Sequence, residues 1–357
     1  MARADAGERK VTIHDIARQA KVSVATVSRV INQQPGVGAE TRARLEALFA
    51  EVGYSASMQA QQLASGRSRL IGVVFPLEIS QIVLHPVYPA LLGAVGDAAA
   101  ERGYALLLAT TSGHLSQTVD VLTRHRVHGV ILPAAGPGDP LLPALSELGA
   151  AVVLIGHRTE DAQFRWVDSD HDVASYWLTR RLIEQGRKRL VHLAGPREVS
   201  ACVLRAQGFD QAVAESDSAI EWARVEWTRF DSVEAAARAR AILTDPGGPP
   251  DAVVCGSDFI AAGVLLAARE LGVAVPDELA VTGFDNLDLA AHTSPTLTSV
   301  RMPLKELGAA AVSLLLDDLK PRSVLLQTEI LYRQSTETSL RPSVPASSPK
   351  TKLGTVT

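Results

Sequence analysis

The stretch VTIHDIARQAKVSVATVSRVIN, Val11 to Asn32, holds two short apolar-periodic segments, each opened by a hydroxyl residue, with Val22 and Ser23 between them. Thr12 and Asp15 form a capping pair, and Ile13, Ile16, Ala17 and Ala20 share one helical face. Ser23 opens the second helix, whose inward positions are Val27, Val30 and Ile31. A third is predicted from Ala39 to Val52, with Leu45, Leu48 and Phe49 inward and Gly53 as its stop. Two short helices joined by a tight turn have the form of a helix-turn-helix, whose second helix enters a major groove N-terminal end first. Only a leading face without bulk fits there. Val24 and Ala25 satisfy that and offer methyls to thymine, while Arg29, one turn on, can reach guanine. Ser23, Thr26, Ser28 and Asn32 are short hydrogen-bonding groups suited to phosphate oxygens. A small helical bundle with capping hydroxyls shares this pattern, so patterning alone leaves the choice open.

Working outward, 357 residues are too many for one typical domain, and 46% apolar with 21% charged residues is the composition of a folded globular chain. Charge is uneven. Residues 1–69 carry ten Lys and Arg against six Asp and Glu, a net of +4, and the remainder carries 25 against 33, a net of −8. A basic head on an acidic body suits a head that meets a polyanion. The N-terminus has charges but no apolar stretch behind them, and later apolar runs stop well short of a membrane span. The expectation is a cytoplasmic protein with no membrane partner. Cys202 and Cys255 stand far apart without ligand spacing, so buried thiols are expected rather than a disulfide or zinc site.

After the linker YSASMQAQQLASGRSR, compact apolar runs follow: LIGVVF, ALLLA, GVILPA, AVVLIG, LVHLAG, DAVVCG and LAVTGF. Helical segments lie between most of them, such as Pro89 to Arg102, Asp172 to Gln185 and Phe259 to Leu271. This alternation predicts an α/β body of parallel sheets flanked by helices, with about ten strands in two sheets. A cleft between two such lobes, at the carboxyl ends of the strands, is where α/β sheets bind small molecules. The last segment, PSVPASSPKTKLGTVT, has little to bury and reads as a disordered tail.

The opening stretch, followed by ETRARLEALFAEVGY, closely resembles the head of the lactose-repressor (LacI/GalR) family of bacterial transcription regulators. The resemblance continues through AQQLA, SRLIGVV, HPVYPALLGAVGDAAAERGYALLLA, LIEQGRKRLVHLAGP, RAQGF and VPDELAVTGFDN, covering roughly residues 11 to 340. It implies a three-helix DNA-binding head over 1–53, a hinge helix in the linker 54–69, and a periplasmic-binding-protein-like body over 70–341, ahead of the tail 342–357. It places Val24, Ala25 and Arg29 against bases, Thr41 and Arg42 against phosphates, and Leu63 as a wedge in the minor groove. Leu63 also fits a domain-packing leucine. Many members have Tyr-x-Pro-Asn where this chain has Tyr54, Ser55, Ala56 and Ser57, which leaves the hinge less rigidly introduced.

In the body, Asp285 in VTGFDN matches the family's sugar-binding acid and Arg205 in VLRAQGF the arginine that donates to the ligand. Tyr88 matches an aromatic packed against the effector, and Phe230 is a further candidate of that kind. Ser257 and Asp258 sit at a strand-to-helix turn, where Asp258 can instead cap the helix. His157 follows a strand and could face the cleft. Val199 and Ala201 stand where the family often has polar ligand contacts. The first lobe is expected at about 70–168 plus 299–328 and the second at about 169–298 plus 329–341. Asp168, Asp170, His171 and Asp172 look like a metal cluster, but capping and compensation of a helix N-terminus account for them. No phosphate loop, GxSxG or catalytic His pairing is found, so neither an enzyme nor a cofactor is expected.

The expected protein is thus a homodimeric regulator, a repressor, on a near-palindromic operator of double-stranded DNA, controlled by a sugar or related metabolite. The rival readings are a solute-binding receptor or small-molecule-binding protein without DNA function, and a cytosolic α/β enzyme.

Overall fold

The computed structural model describes residues 11–31, 35–52, 68–111, 114–136, 138–217, 220–317 and 323–337. Asn32, the hinge segment with Tyr54 to Ser57 and Leu63, and the tail beyond 341 lie outside the described residues. The chain divides into two compact units at Arg69/Leu70. No helix among the described residues is long and apolar enough to cross a membrane.

The first unit is three helices: α1 (Ile13–Ala20), α2 (Val24–Ile31) and α3 (Ala39–Glu51). Thr12 and Asp15 close the expected capping box on α1, each side chain bonding the other's backbone N–H. Lys21 then adopts a left-handed φ of 51° that ends α1 and starts the turn. Ser23 Oγ accepts from Thr26 N at 3.1 Å and so caps α2. Ile16, Ala17, Val27, Val30 and Leu45 are buried together, and the Arg44 guanidinium donates to Ala20 O, fastening α3 to the end of α1. Such a small core is marginal alone, so these caps carry a large share of the unit's definition.

The second unit holds two six-stranded sheets. The first is β1 (Leu70–Phe75), β2 (Ala105–Thr110), β3 (Gly129–Pro133), β4 (Ala151–Ile155), β5 (Arg165–Ser169) and β11 (Ser323–Leu326), in the order β11-β5-β4-β3-β1-β2 and parallel throughout. The second is β6 (Arg189–Ala194), β7 (Trp222–Trp227), β8 (Ala252–Cys255), β9 (Ala280–Asp285), β10 (Thr298–Arg301) and β12 (Glu329–Leu331), in the order β12-β10-β9-β8-β6-β7, with β12 antiparallel to β10. Each sheet has an apolar cluster on both faces, which is why the central strands are continuous apolar runs.

All seven apolar runs are strands. The expected crossing near 299 lies instead at Met302–Pro303: Thr298 to Arg301 pair with β9 and Ser299 to Arg301 also with β12, so β10 belongs wholly to the second sheet. The helix after it, Leu304–Leu316, packs on the first sheet, its Leu307, Ala311 and Leu315 in that core. The chain thus passes between lobes near 169–171, 302–303 and 327–328. Asp170 fastens two of these crossings together, its carboxylate accepting from Thr328 N at 2.8 Å while its N–H donates to Leu326 O.

Candidate effector cleft and nucleic-acid interface

At the carboxyl ends of both sheets the two lobes face one another and enclose a cavity of about 80 Å³. From the first lobe come His85 and Tyr88, at the start of the helix Val87–Glu101, and Leu91 one turn on. From the second come Arg205, on the helix Ser200–Ala214, Phe230 after β7, and Asp285, which ends β9. Tyr88, Arg205, Phe230 and Asp285 therefore meet around one space, and Val199 and Ala201 are part of its wall.

The polar side is one continuous network. Asp168 Oδ1 lies 3.2 Å from His171 Nε2, and His171 Nδ1 accepts from the Arg205 guanidinium at 3.3 Å. That guanidinium also donates to Gly256 O and, at 3.2 Å, to Asp285 Oδ1, and it lies 3.6 Å over the Phe284 ring. Arg205 is only 5% exposed and lines the cavity while its guanidinium is bonded to these three protein partners. Its geometry makes it the group that aims Asp285. The other carboxylate oxygen, Asp285 Oδ2, is buried without a protein partner. Asp285 has φ 98° and Asn286 φ 49°, conformations that cost non-glycine residues roughly 1–3 kcal/mol each and collect at functional sites.

Ser257 and Asp258 are not among the residues lining this space. Ser257, not Asp258, caps the helix Asp258–Leu271, accepting from Ile260 N. Asp258 is fully buried beneath the cleft floor, where its carboxylate accepts from Ser299 Oγ at 2.6 Å and Leu287 N at 2.7 Å. Burial, with the charge of Asp285 adding to it, pushes its carboxyl up to about 7.

Asp168 and His171 line the cavity, a placement that the sequence reading missed. The capping account of this cluster is corrected: Asp170 makes no side-chain cap bond, and Arg158 spans Asp168 at 2.8 Å and Asp172 at 2.9 Å. Burial acts against ionisation of Asp168, but His171 and Arg158 bring its carboxyl below the usual range. Among the described residues no group of His, Cys, Asp and Glu is arranged to hold a metal. Cys202 and Cys255 are both free and buried, and burial pushes the Cys202 thiol up to about 12.

The lobes also touch around the cavity. The His85 ring lies tilted 4.5 Å from the Phe230 ring and 5.2 Å from that of Tyr88, centroid to centroid, and neither of its ring nitrogens has a protein partner. Burial lowers its pKa, with Arg205 adding to that and Asp285 opposing it, so the ring is held neutral. His157 faces the cleft rim, with Nδ1 2.7 Å from Ser200 Oγ, which in turn donates to Ala135 O at 3.3 Å. At Gly136 a side chain has no room, because a Cβ would collide with the Glu198 carbonyl of the other lobe. A cavity of about 80 Å³ is smaller than the roughly 150 Å³ that accommodates a benzene. A sugar-sized ligand therefore either extends out of this space, which is partly open to solvent, or parts walls that belong to different lobes.

In the head, Ala25 and Arg29 are exposed on α2, and Val24 is half-buried against the core. Thr26 and Ser28 are half-buried on the same helix, with Thr26 Oγ1 2.8 Å from Ser23 Oγ, so this pair of hydroxyls is joined at the leading end. Thr41 and Arg42, in the first turn of α3, are half-buried.

Residues 12–57 match the family "Bacterial regulatory proteins, lacI family", and residues 179–336 match "Periplasmic binding protein-like domain". The HTH-type transcriptional repressor CytR of Escherichia coli is 31% identical over 338 residues, 92% of this chain and 97% of that protein. The HTH-type transcriptional regulator CelR of Thermobifida fusca is 30% identical over 336 residues, 92% of this chain and 98% of that one. Among solved structures, a CelR–cellobiose complex superposes with TM-score 0.69 at 30% identity, covering 91% of this chain and 99% of that one. The lac repressor dimer bound to operator and the anti-inducer ONPF shares the fold, with TM-score 0.82 at 24% identity over 92% of this chain and all of that one. With a helix-turn-helix head, two crossed α/β lobes and relatives matched over nearly their whole length, the chain belongs to the lacI family of bacterial regulatory proteins.

Proposed function

We propose that this chain is a cytoplasmic, homodimeric repressor that reads a near-palindromic DNA operator with α2 and yields or tightens its hold when a small metabolite enters the cleft. In this reading 1–53 is the DNA-binding unit, 54–69 the hinge and 70–341 the effector-binding and dimerisation unit. Val24, Ala25 and Arg29 address bases. Ser23, Thr26, Ser28, Asn32, Thr41 and Arg42 address phosphates, and Leu63 wedges the minor groove. Asp285 is the primary effector contact, Arg205 its positioning partner, and Tyr88 and Phe230 the apolar walls.

The observation that carries it is Asp285: a strained, buried carboxylate with one oxygen committed to Arg205 and the other unpartnered, opening on a cavity walled by two lobes. A ligand that satisfies that oxygen and parts the walls has different affinity for open and closed lobes, which is the requirement for coupling.

The test is selection of bound duplexes from a random-sequence pool at near-physiological salt, followed by titration of metabolites against the selected site. A palindromic motif is expected. Arg29→Ala is expected to weaken the selected site by about 1–3 kcal/mol and relax one base position. Equal loss on all sequences reassigns Arg29 to phosphate, and recovery of no motif, with or without metabolites, refutes the reading.

A further inference from the structure

We propose that the exposed row of the helix His171–Glu184, with Tyr332 beside it, is the docking face for a proline-rich segment of the chain's own C-terminal region, residues 340–345.

The inner positions of this helix, Ala174, Leu178, Leu182 and Ile183, are buried in the core of the second lobe. On its outer side Val173, Trp177 and Arg181 recur at every fourth residue and form one row, with Val173 45% and Trp177 53% exposed. The Tyr176 ring stands edge-on to the Trp177 indole at 5.2 Å, and the Arg181 guanidinium lies 5.7 Å from the centre of the Tyr332 ring. An indole, two phenols and a guanidinium beside an aliphatic residue, all outside the core, have the composition of a recognition patch rather than of a solvated helix face.

The occupant follows from where the described chain ends. The Gln185 amide, at the end of this helix, donates to Thr336 O at 3.2 Å, so the residues after Glu337 set out beside the C-terminal end of the row. From Gln185 back to Trp177 is about 12 Å along the helix axis, a span that about four residues cover in the extended form natural to proline-rich chain. Counted from Glu337, this brings the run LRPSVP, residues 340–345, level with Trp177. Pro342 and Pro345 are one turn apart in that form and present a single ridge, the kind of surface that exposed aromatic rings take up. Charge agrees with this. Residues 338–357 hold Arg341, Lys350 and Lys352 and no acid, while Glu184, Glu215 and Glu337 border the row, Glu215 accepting from the Tyr176 hydroxyl. Arg180 and Arg181 offset part of that negative charge, Arg180 being paired with Glu184. A tether this short raises the effective concentration to the millimolar range, so contacts too weak to hold a separate peptide are enough to hold this segment.

The experiment uses the purified full-length protein carrying a bimane fluorophore on a Ser343→Cys variant; Cys202 and Cys255 are both buried, so the introduced thiol is the one that reacts. A neighbouring indole quenches bimane and a phenyl ring does not. Trp177→Phe, an exposed site that keeps a ring, is therefore expected to raise the emission by about twofold or more if the tethered segment is held at this face. Pro342→Gly combined with Pro345→Gly, in a chain that retains Trp177, is expected to raise it as well, because the extended ridge is lost. Emission unchanged by either alteration overturns the proposal: without the Trp177 effect the segment is not on this face, and without the proline effect it only collides with it. Relief of quenching by Trp227→Phe instead of Trp177→Phe would put the segment elsewhere and overturns it too. So does quenching that fades on dilution, which would give the face to the segment of a neighbouring copy.

Discussion

The two lobes are built on similar six-stranded sheets, yet they bring different chemistry to the cleft between them. The first contributes mostly surfaces, the rings of His85 and Tyr88 and the side chain of Leu91; the second contributes the aimed carboxylate and the guanidinium that aims it. The difference follows from where each lobe places its strand ends. β9 stops in two left-handed residues that turn a carboxylate inward, whereas the helix after β1 in the first lobe carries apolar side chains toward the same space. The lining of the cleft is therefore shared between the lobes, and only a ligand that touched both could report on their separation.

The largest way to break this asymmetry is Arg205→Met. It strands Asp285 and the Asp168–His171 pair in a buried setting and is expected to destabilise the second unit by about 3–5 kcal/mol, read from denaturant unfolding. The first-lobe counterpart, Tyr88→Leu, forfeits an edge-on contact with Phe75 at 5.6 Å and is expected to lose only about 0.5–1.5 kcal/mol beyond its lost burial. Equal losses from the two would abolish the distinction drawn between them.

Next comes the rim. Gly136→Val inserts a side chain where the Glu198 carbonyl already sits, so the lobes have to part there. Solution scattering is expected to show a more open body, and an unchanged profile would mean that the rim yields locally instead.

A smaller effect sharpens the comparison inside the second lobe through pH. Asp258, with its carboxyl raised to about 7, contributes stability that is present below its unfolded value of 3.8 and lost as pH rises through 7. His192, whose imidazole is lowered by burial to about 4, contributes stability present above 6.5 and lost as pH falls through 4. The two oppose each other between pH 4 and 7. Asp258→Asn is expected to unmask a melting temperature that climbs with pH across that window; a curve as flat as the wild type's would remove Asp258 from the balance. The smallest change is His157→Ala, which removes one rim hydrogen bond worth about 0.5–1.5 kcal/mol.

The central strands and the long helices were legible in the sequence because burial on both faces leaves unbroken apolar runs. Arg165–Ser169 and Trp222–Trp227 were not, since RWVDS and WARVEW interleave charges with large rings. The second of these is an edge strand, half-buried along its whole length. Tyr88, Phe230 and Asp285 were expected at the cleft and line it, and Val199 and Ala201, expected near it, are part of its wall. The commitment of Arg205 to His171 was not, because its partners lie 34, 51 and 80 residues away and spacing carries no trace of such contacts. The cap fell to Ser257 rather than Asp258, and Asp258 was misplaced for a similar reason: the Ser299 hydroxyl that holds it comes from a different strand.

The three crossings near 169–171, 302–303 and 327–328 also bear on how such a protein can be recombined. The contiguous segment 70–169 is a sheet without its β11 edge and without the helix Leu304–Leu316 that covers one face, so it is an incomplete unit. A chimera with one junction inside the second unit would mix pieces of both lobes. Grafting the ligand preference of one relative onto the DNA preference of another while keeping its own first lobe requires three junctions, and the bond from Thr328 N to the Asp170 carboxylate means that an acceptor has to be kept at position 170 when the graft is made.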